Sequence, residues 1–485
     1  MRATLLEEPS LEFASGSRHQ DPRFGIAQYG PVDLESPSAP RAITIGLIAD
    51  QQGLSNLQEW LESCRDPIAP KSTDRPGLWP EFPGFASTRG FQSELVFDPR
   101  LQRPIAKRSI KELEALKPAA RADRAADIYL RELETLVQEG RPDVVICQIP
   151  DALEDIDTPP VVVADGPSET GAVGHAEENR PVAFHDLLKA RAMKLRVPLQ
   201  LIRAGTYDPS KVRKQKRRTW KRRGRQDDAT IAWNFFTALY YKAGGTPWRM
   251  VRAASDLEVC FVGVSFFRTP NSDTPATSFA QIYNQRGDGV VVRGGPAQRS
   301  TRDRQLHLSR EDAYEALKQA LMAYRAEHRH LPARIIVHKT SVFDAEEHEG
   351  MSKAAEDLGL DCCELVWITN PTTRLFRDGY HPPRRGTLLE VAPDHGVLYT
   401  RGSVEWYGTY PGMYVPKPIA LRASHIERRL SDVAQEVMAL TKMNWNSTRF
   451  DGRLPVSMRT ARHVADIIKH LPANAPVEPM YAYYM

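Results

Sequence analysis

After Leu257 the apolar residues fall into a fixed order of runs, and that order leaves few folds open. LEVCFVGVSFFRT (257–269) is one long strand pattern. ATSFAQIYNQRG (276–287) and DGVVVRGG (288–295) follow as hairpin strands around a glycine-containing turn. SREDAYEALKQALMAYRAEHR (309–329) then changes period. Its stripe of Ala313, Leu317, Ala320, Leu321 and Tyr324 predicts a helix, opened by Ser309 with Asp312 as a capping signal. ARIIVHKTS (333–341) is a fourth strand, a helix covers about 346–358, and CCELVWIT (362–369) is a fifth strand. In ASHIERRLSDVAQEVMAL (423–440), Ser424 and Glu427 read as a cap, and Ile426, Leu430, Val433, Val437 and Leu440 as a buried face. LPVSMRTARHVADIIKHL (454–471) predicts a last helix.

The first half has a different rhythm. AITIGLIAD (42–50), SELVFDP (93–99) and PDVVICQIP (142–150) are short apolar runs bounded by turn residues, as for buried parallel strands. SIKELEAL and AADIYLRELETLVQEG lie between the last two with helical spacing. The alternation predicts an α/β doubly wound sheet. No GxGxxG follows any of these strands, so nicotinamide binding is not supported. Residues 1–40, rich in Pro, Gly and Ser, predict an extended arm with turns, and the acidic, Pro- and Gly-punctuated stretch 151–180 predicts a surface loop. A chain of 485 residues suggests two or three domains. No apolar run is long enough to cross a membrane, and no secretory signal pattern opens the chain. Five cysteines without a CxxC pair argue for a reducing, cytoplasmic setting and against a zinc or disulfide framework. The net charge of +4 decides little, because the basic residues are unevenly placed.

The chemistry concentrates in residues 182–245. His185 and Lys189 are four residues apart, so a helix sets them on one face, near its positive end if it starts at His185. Gln200 sits in the strand-like VPLQLIR, and Lys242 closes a second helix pattern just before Gly244 and Gly245. One ring, one amide and two ammonium groups suit a terminal phosphate with a base stacked beside it. Between them, KVRKQKRRTWKRRGR (211–225) holds ten basic residues in fifteen. Lys211, Arg213, Lys214, Lys216, Arg217, Arg218, Lys221 and Arg222, with Trp220 among them, suit a nucleic-acid backbone and a stacked base.

His-x3-Lys, then Gln, then Lys before a small residue and Gly-Gly resembles the MID domain of Argonaute proteins, and YYKAGGTPW (240–248) resembles the MID-to-PIWI junction. The length resembles a short prokaryotic Argonaute of MID and PIWI without PAZ. The resemblance covers about the last three hundred residues well. It implies an arm over 1–40, a Rossmann-like MID domain over 41–245 and a ribonuclease H-like PIWI domain over 246–485, whose strand and helix order is the one found above. It also implies that His185, Lys189, Gln200 and Lys242 hold a guide 5′-phosphate. The carboxylate of Met485 would reach the same pocket, where Mg2+ bridges it to guide phosphates.

Active PIWI domains hold two metal ions with carboxylates. Here Ser265 stands where the first strand of that family carries Asp, and Thr340 stands where a second Asp follows the fourth strand. The last position falls near Asn444 to Asn446, with Asp451 several residues away. Asp344, Glu346, Glu347 and Glu349 form an acidic cluster that helix N-terminal acids explain more simply than a displaced metal site. The resemblance therefore implies a binder of guide RNA and target DNA that does not cut. Its enzymatic partner would be an APAZ-containing effector with a sirtuin-like or TIR NAD-consuming domain, in a prokaryotic defence system. The competing readings are a slicing nuclease with atypical ligands, a pairing with a nuclease effector, and a non-guided α/β protein with an RNA-binding loop.

Overall fold

The computed structural model describes residues 1–86, 88–153, 183–211, 225–251, 258–267, 277–283, 289–379, 381–412, 415–472 and 475–485. The arm is short strands and one helix: β1 (Arg2–Leu5), β2 (Leu11–Glu12), β3 (Arg18–His19) and α1 (Pro22–Tyr29). Asp21 caps α1 through the backbone N–H of Arg23, with Pro22 in the first turn.

The first sheet is parallel throughout. Its strands are β4 (Ala42–Asp50), β7 (Glu94–Ile105), β8 (Val144–Ile149) and β9 (Leu199–Arg203), in the order β7-β4-β8-β9. A two-residue pair, β5 (Phe85–Ala86) with β6 (Arg89–Gly90), precedes β7. All six residues of β8 are buried, as expected for a strand covered on both faces. The helices around this sheet are α2 (Gln51–Ser63), α3 (Lys107–Glu114), α4 (Pro118–Glu139), α5 (Phe184–Ala192), α6 (Ala204–Tyr207) and α7 (Asp228–Lys242). The strand read at 93–99 runs on to Ile105, with the four residues between Phe97 and Gln102 leaving the ladder beside β4.

β10 (Arg249–Met250) pairs with β2, and the second sheet follows: β11 (Val259–Phe267), β12 (Thr277–Tyr283), β13 (Gly289–Arg299), β14 (Leu306–Leu308), α8 (Arg310–His328), β15 (Arg334–Lys339), α9 (Ala345–Asp357) and β16 (Cys362–Thr369). This is the three-strand, helix, strand, helix, strand order read from the sequence, with β14 as an extra strand. Beyond it stand β17 (Thr387–Ala392), β18 (His395–Leu398), β19 (Ile419–His425), α10 (Leu430–Leu440) and α11 (Val456–Ile468). The ten strands run β1-β17-β18-β19-β16-β15-β11-β12-β13-β14, so the first strand of the arm forms one edge of this sheet. The architecture is α/β, as expected above, with a parallel sheet flanked by helices followed by a larger mixed sheet. The capping signal at Ser309 is present, its hydroxyl accepting from Asp312 N–H. The one at Ser424 is not. Ser424 belongs to β19, and α10 starts after Arg429 without a side-chain cap. The reason lies in β16: Glu364 accepts from the N–H groups of Glu427 and Arg428 at 3.0 and 3.2 Å, which keeps that turn out of the helix.

One continuous apolar core joins the two sheets. Leu11 and Phe13 of the arm, Ile43 and Leu47 of β4, Trp233 and Phe236 of α7, Trp248, and Val433 and Val437 of α10 all belong to it. The arm is also held by charge. Glu8 meets Arg385 at 2.9 Å and Lys442 at 2.6 Å, and both cations have fully buried side chains. Lys442 donates further to the carbonyls of Pro9 (2.7 Å) and Gln20 (2.9 Å). Burial holds the Lys442 ammonium down to about 8, with Glu8 opposing the shift. The described residues contain no helix long and apolar enough to cross a membrane. All five cysteines are free thiols.

Removing Glu8 leaves two buried cations with their shared carboxylate gone. Glu8→Ala is expected to destabilise the fold by roughly 3–5 kcal/mol, seen as a lowered thermal midpoint and as early proteolysis within the arm. An unchanged midpoint would mean the arm is not anchored through this carboxylate.

Candidate nucleic-acid interface

Helix α5 begins at Phe184 with no side-chain cap, so His185 and Asp186 stand in its first turn. Lys189, one turn on, is only 2 % exposed, and its ammonium donates to the backbone carbonyl of Tyr484 at 3.3 Å. Lys242, the last residue of α7, is 4 % exposed. It donates to the carbonyl of Leu199 at 2.9 Å and to the amide oxygen of Gln200 at 2.6 Å. The parallel pairing of β8 with β9 brings Gln200 there. Met485 is buried, and Tyr481, Tyr484 and Met485 pack with Ala190 and Met193 beside α5, Ala238 of α7, and Val464 and Ile468 of α11. The Tyr484 hydroxyl donates to the Glu478 carbonyl at 2.7 Å, and Val291 N–H to the Pro479 carbonyl at 2.8 Å. The structure thus brings Lys189, Gln200, Lys242 and the chain's end to one place.

The electrostatics of this place are unusual. Among the described residues, the partners of both ammonium groups are carbonyl and amide oxygens. Burial pushes Lys189 down to about 7, with Asp186 opposing. Burial and then the charge of Lys189 push Lys242 well below the usual lysine range. Two buried lysines whose described hydrogen bonds go to neutral oxygens, with Asp186 acting on Lys189 from nearby, make a site that an anion would complete. Met485, whose carboxylate the resemblance would offer to Mg2+, is buried in this cluster. The Gln200 oxygen is already engaged, and two ammonium groups lie close by. The residues fit Mg2+ only as an ion whose remaining oxygen ligands come from phosphate.

His185 does not present an open ring. Its Nδ1 lies 2.8 Å from Asp186 Oδ1, and the ring stacks on His463 of α11, centroids 6.1 Å apart at 12°. Sequence reasoning missed His463. The available signal was its spacing with Asp466, three residues on along α11, and with His470, just past the end of that helix. Lys211 ends an exposed 3-10 turn. Arg213, Lys214, Lys216, Arg217, Arg218, Trp220, Lys221 and Arg222 lie outside the described residues.

The second locus is the middle of the large sheet. β11 pairs parallel with β15 as far as Gly263 opposite His338; Ser265 stands two residues further along β11, and Thr340 directly follows the end of β15. Ser265 is half-buried and Thr340 exposed. A Cβ on Gly263 would stand 2.0 Å from the Ser457 carbonyl, so the close approach of α11 requires glycine there. His338 is buried, its Nδ1 2.8 Å from Ser457 Oγ, and burial holds its ring down to about 3. Neither Ser265 nor Thr340 offers a carboxylate. Several of the acids singled out from the sequence have partners of their own. Asp344 and Glu347 form the capping box of α9. Glu347 also takes the buried ammonium of Lys339, the N–H of Leu308 at 3.0 Å and a ring nitrogen of His307 at 3.0 Å. Glu349 pairs with Arg310, and Asp451 with Arg401 at 3.4 Å. His307, which bridges Glu347 to Asp303, was not visible as a partner from the sequence.

No protein-family model matches the chain, and no curated protein matches it in sequence. Solved structures do. A structure of Clostridium butyricum Argonaute bound to a guide DNA (5′ deoxycytidine) and a 19-mer target DNA is 14% identical, with a TM-score of 0.65 over 98% of this chain and 54% of that one. A crystal structure of A. aeolicus Argonaute gives 14% and 0.58 over 98% and 54%, and one of Drosophila Piwi 14% and 0.58 over 99% and 56%. At this identity the likeness is one of fold. The chain spans about half the length of these proteins.

The buried ammonium has a pH signature. In the unfolded chain Lys189 keeps its proton up to about 10.5, and in the fold only up to about 7. The cost of the buried charge is therefore full below pH 7 and fades as pH rises toward 10.5, because the unfolded state then binds the extra proton. Lys189→Met is expected to stabilise the free protein at pH 6.5, by on the order of 1–3 kcal/mol, and to give little or no gain at pH 10. Thermal melts of the two proteins across that range check it.

Proposed function

We propose that this chain is a guide-directed nucleic-acid recognition protein that anchors the phosphorylated 5′ end of a guide between α5, α7 and the docked C-terminus. The observation that carries the reading is the pair of buried ammonium groups, Lys189 and Lys242, held without a carboxylate partner around Gln200. A terminal phosphate supplies up to two negative charges and several acceptor oxygens, which is what that pocket lacks. The MID–PIWI fold supports the reading, since the Clostridium butyricum relative of that fold was solved with guide and target bound. The guide backbone would run along the basic segment 211–225, and base pairing would select the target. RNA as guide and single-stranded DNA as target follow the resemblance to short prokaryotic Argonautes, as does Mg2+ held between the Met485 carboxylate and guide phosphates.

Target cleavage is not part of this proposal. Two-metal hydrolysis needs carboxylates at the scissile phosphate, and the hydroxyls of Ser265 and Thr340 do not neutralise two divalent ions. Lys339, next to Thr340, adds a positive charge that Glu347 already answers. The output of recognition is then assigned to a second protein. The resemblance names an APAZ-bearing effector with a sirtuin-like or TIR NAD-consuming domain, whose active assembly target pairing favours.

Lys189→Ala and Lys242→Ala are expected each to weaken a 5′-phosphorylated guide roughly ten- to hundred-fold, since a hydrogen bond to a charged group contributes about 1.5–3 kcal/mol. A 5′-hydroxyl guide should change far less. Equal losses on the two guides in a filter-binding assay would move the pocket elsewhere. Guide-loaded protein given a labelled complementary strand and Mn2+ is expected to leave it intact. A cut at a fixed distance from the guide end would instead establish a slicing nuclease.

A further inference from the structure

We propose that His185, Asp186 and His463 form a binding site for a divalent transition-metal ion of the zinc class, across the seam between α5 and α11. The proposal rests on these side chains and not on the guide reading. One ligand atom from each of the three lies within 4.8 Å of the others. A tetrahedral ion with bonds near 2.0–2.1 Å takes donors roughly 3.4 Å apart, so small side-chain rotations close the set. Two imidazoles and one carboxylate are the three-ligand pattern that leaves a fourth position open.

The three side chains already meet: His185 Nδ1 lies 2.8 Å from Asp186 Oδ1, and the His463 ring stacks on that of His185. A metal requires deprotonated ligands, so an ion here would displace any proton shared by His185 and Asp186. A further observation points to the same patch. His470, two turns along from His463, has a buried Nε2 with no hydrogen-bond partner. Burial, with Lys469, holds that ring down to about 4.

The charges around the site select the ion. Asp186 and Asp466 face it, and Lys469 pairs with Asp466 at 3.3 Å. Lys189 and Arg459 oppose a cation there. A hard ion such as Mg2+ draws little from imidazole and meets that repulsion without compensation. An ion with high nitrogen affinity gains two strong bonds. The other histidine-and-acid group, His307, Asp344 and Glu347, differs in this respect, because the Lys339 ammonium already sits on Glu347. An ion at the first site would link a helix beside the parallel sheet to a helix packed on the large sheet, next to the buried C-terminus.

The test uses the full chain, freed of metal by EDTA, dialysed, and titrated with Zn2+ without any nucleic acid. We expect one equivalent bound by calorimetry, a raised thermal midpoint, and visible ligand-field bands when Co2+ replaces Zn2+. His463→Ala and Asp186→Asn should each weaken Zn2+ binding by at least roughly ten-fold, while Mg2+ up to millimolar levels leaves the midpoint unchanged. If His463→Ala does not fold, Asp186→Asn and the Co2+ spectrum of the unaltered protein decide. Absent or sub-stoichiometric binding, or affinity untouched by these substitutions, would reduce the cluster to a stacked histidine pair only. A guide-binding assay that fails to prefer 5′-phosphate would overturn the pocket assignment and leave this result standing.

Discussion

Two buried lysines whose described hydrogen bonds go to neutral oxygens set the terms for the rest of this structure. A fold does not keep Lys189 and Lys242 out of water for stability, because desolvation of each opposes folding. The surrounding elements supply just enough to hold them: carbonyls from β9 and the tail, and one amide from Gln200. The tail packs with the helices that carry both lysines: Tyr481 and Tyr484 share an apolar cluster with residues of α5, α7 and α11, and the Tyr484 carbonyl accepts from Lys189.

The large sheet handles buried charge the opposite way. All six residues of β15 are buried, Arg334, His338 and Lys339 among them. Each has a partner chosen by the fold. Arg334 meets Glu364 and Glu436, Lys339 meets Glu347, and His338 meets Ser457. These contacts pair the charged side chains of β15 within the sheet, whereas Lys189 and Lys242 beside the other sheet donate to neutral oxygens.

Much of this was legible in the residues. The β4 run was bounded at Ala42 and Asp50 by pattern alone, and the order of strands and helices from β11 to β16 followed from changes of period, because period-2 and period-3.6 burial differ over even short windows. Lys189 and Lys242 were visible as candidates because helix spacing and the Gly-Gly stop place them at defined points on α5 and α7. The cap of α10 was misread, since Ser424 and Glu427 satisfy a local rule that Glu364, sixty residues earlier in the chain, overrides. The strand edge formed by β1 was invisible for a similar reason: its partner, β17, lies almost four hundred residues away.

By itself, the sequence determined which residues carry charge, which runs are apolar, and that serine and threonine stand at 265 and 340. Only the tertiary structure decided which charges would lose their water and which would be answered. Lys339 and Lys189 look alike in the chain. One pairs with Glu347 and the other donates to the Tyr484 carbonyl, because ion pairing depends on distances across packed elements that local spacing does not encode. The stacking of His463 on His185 has the same origin, in the packing of α11 against α5.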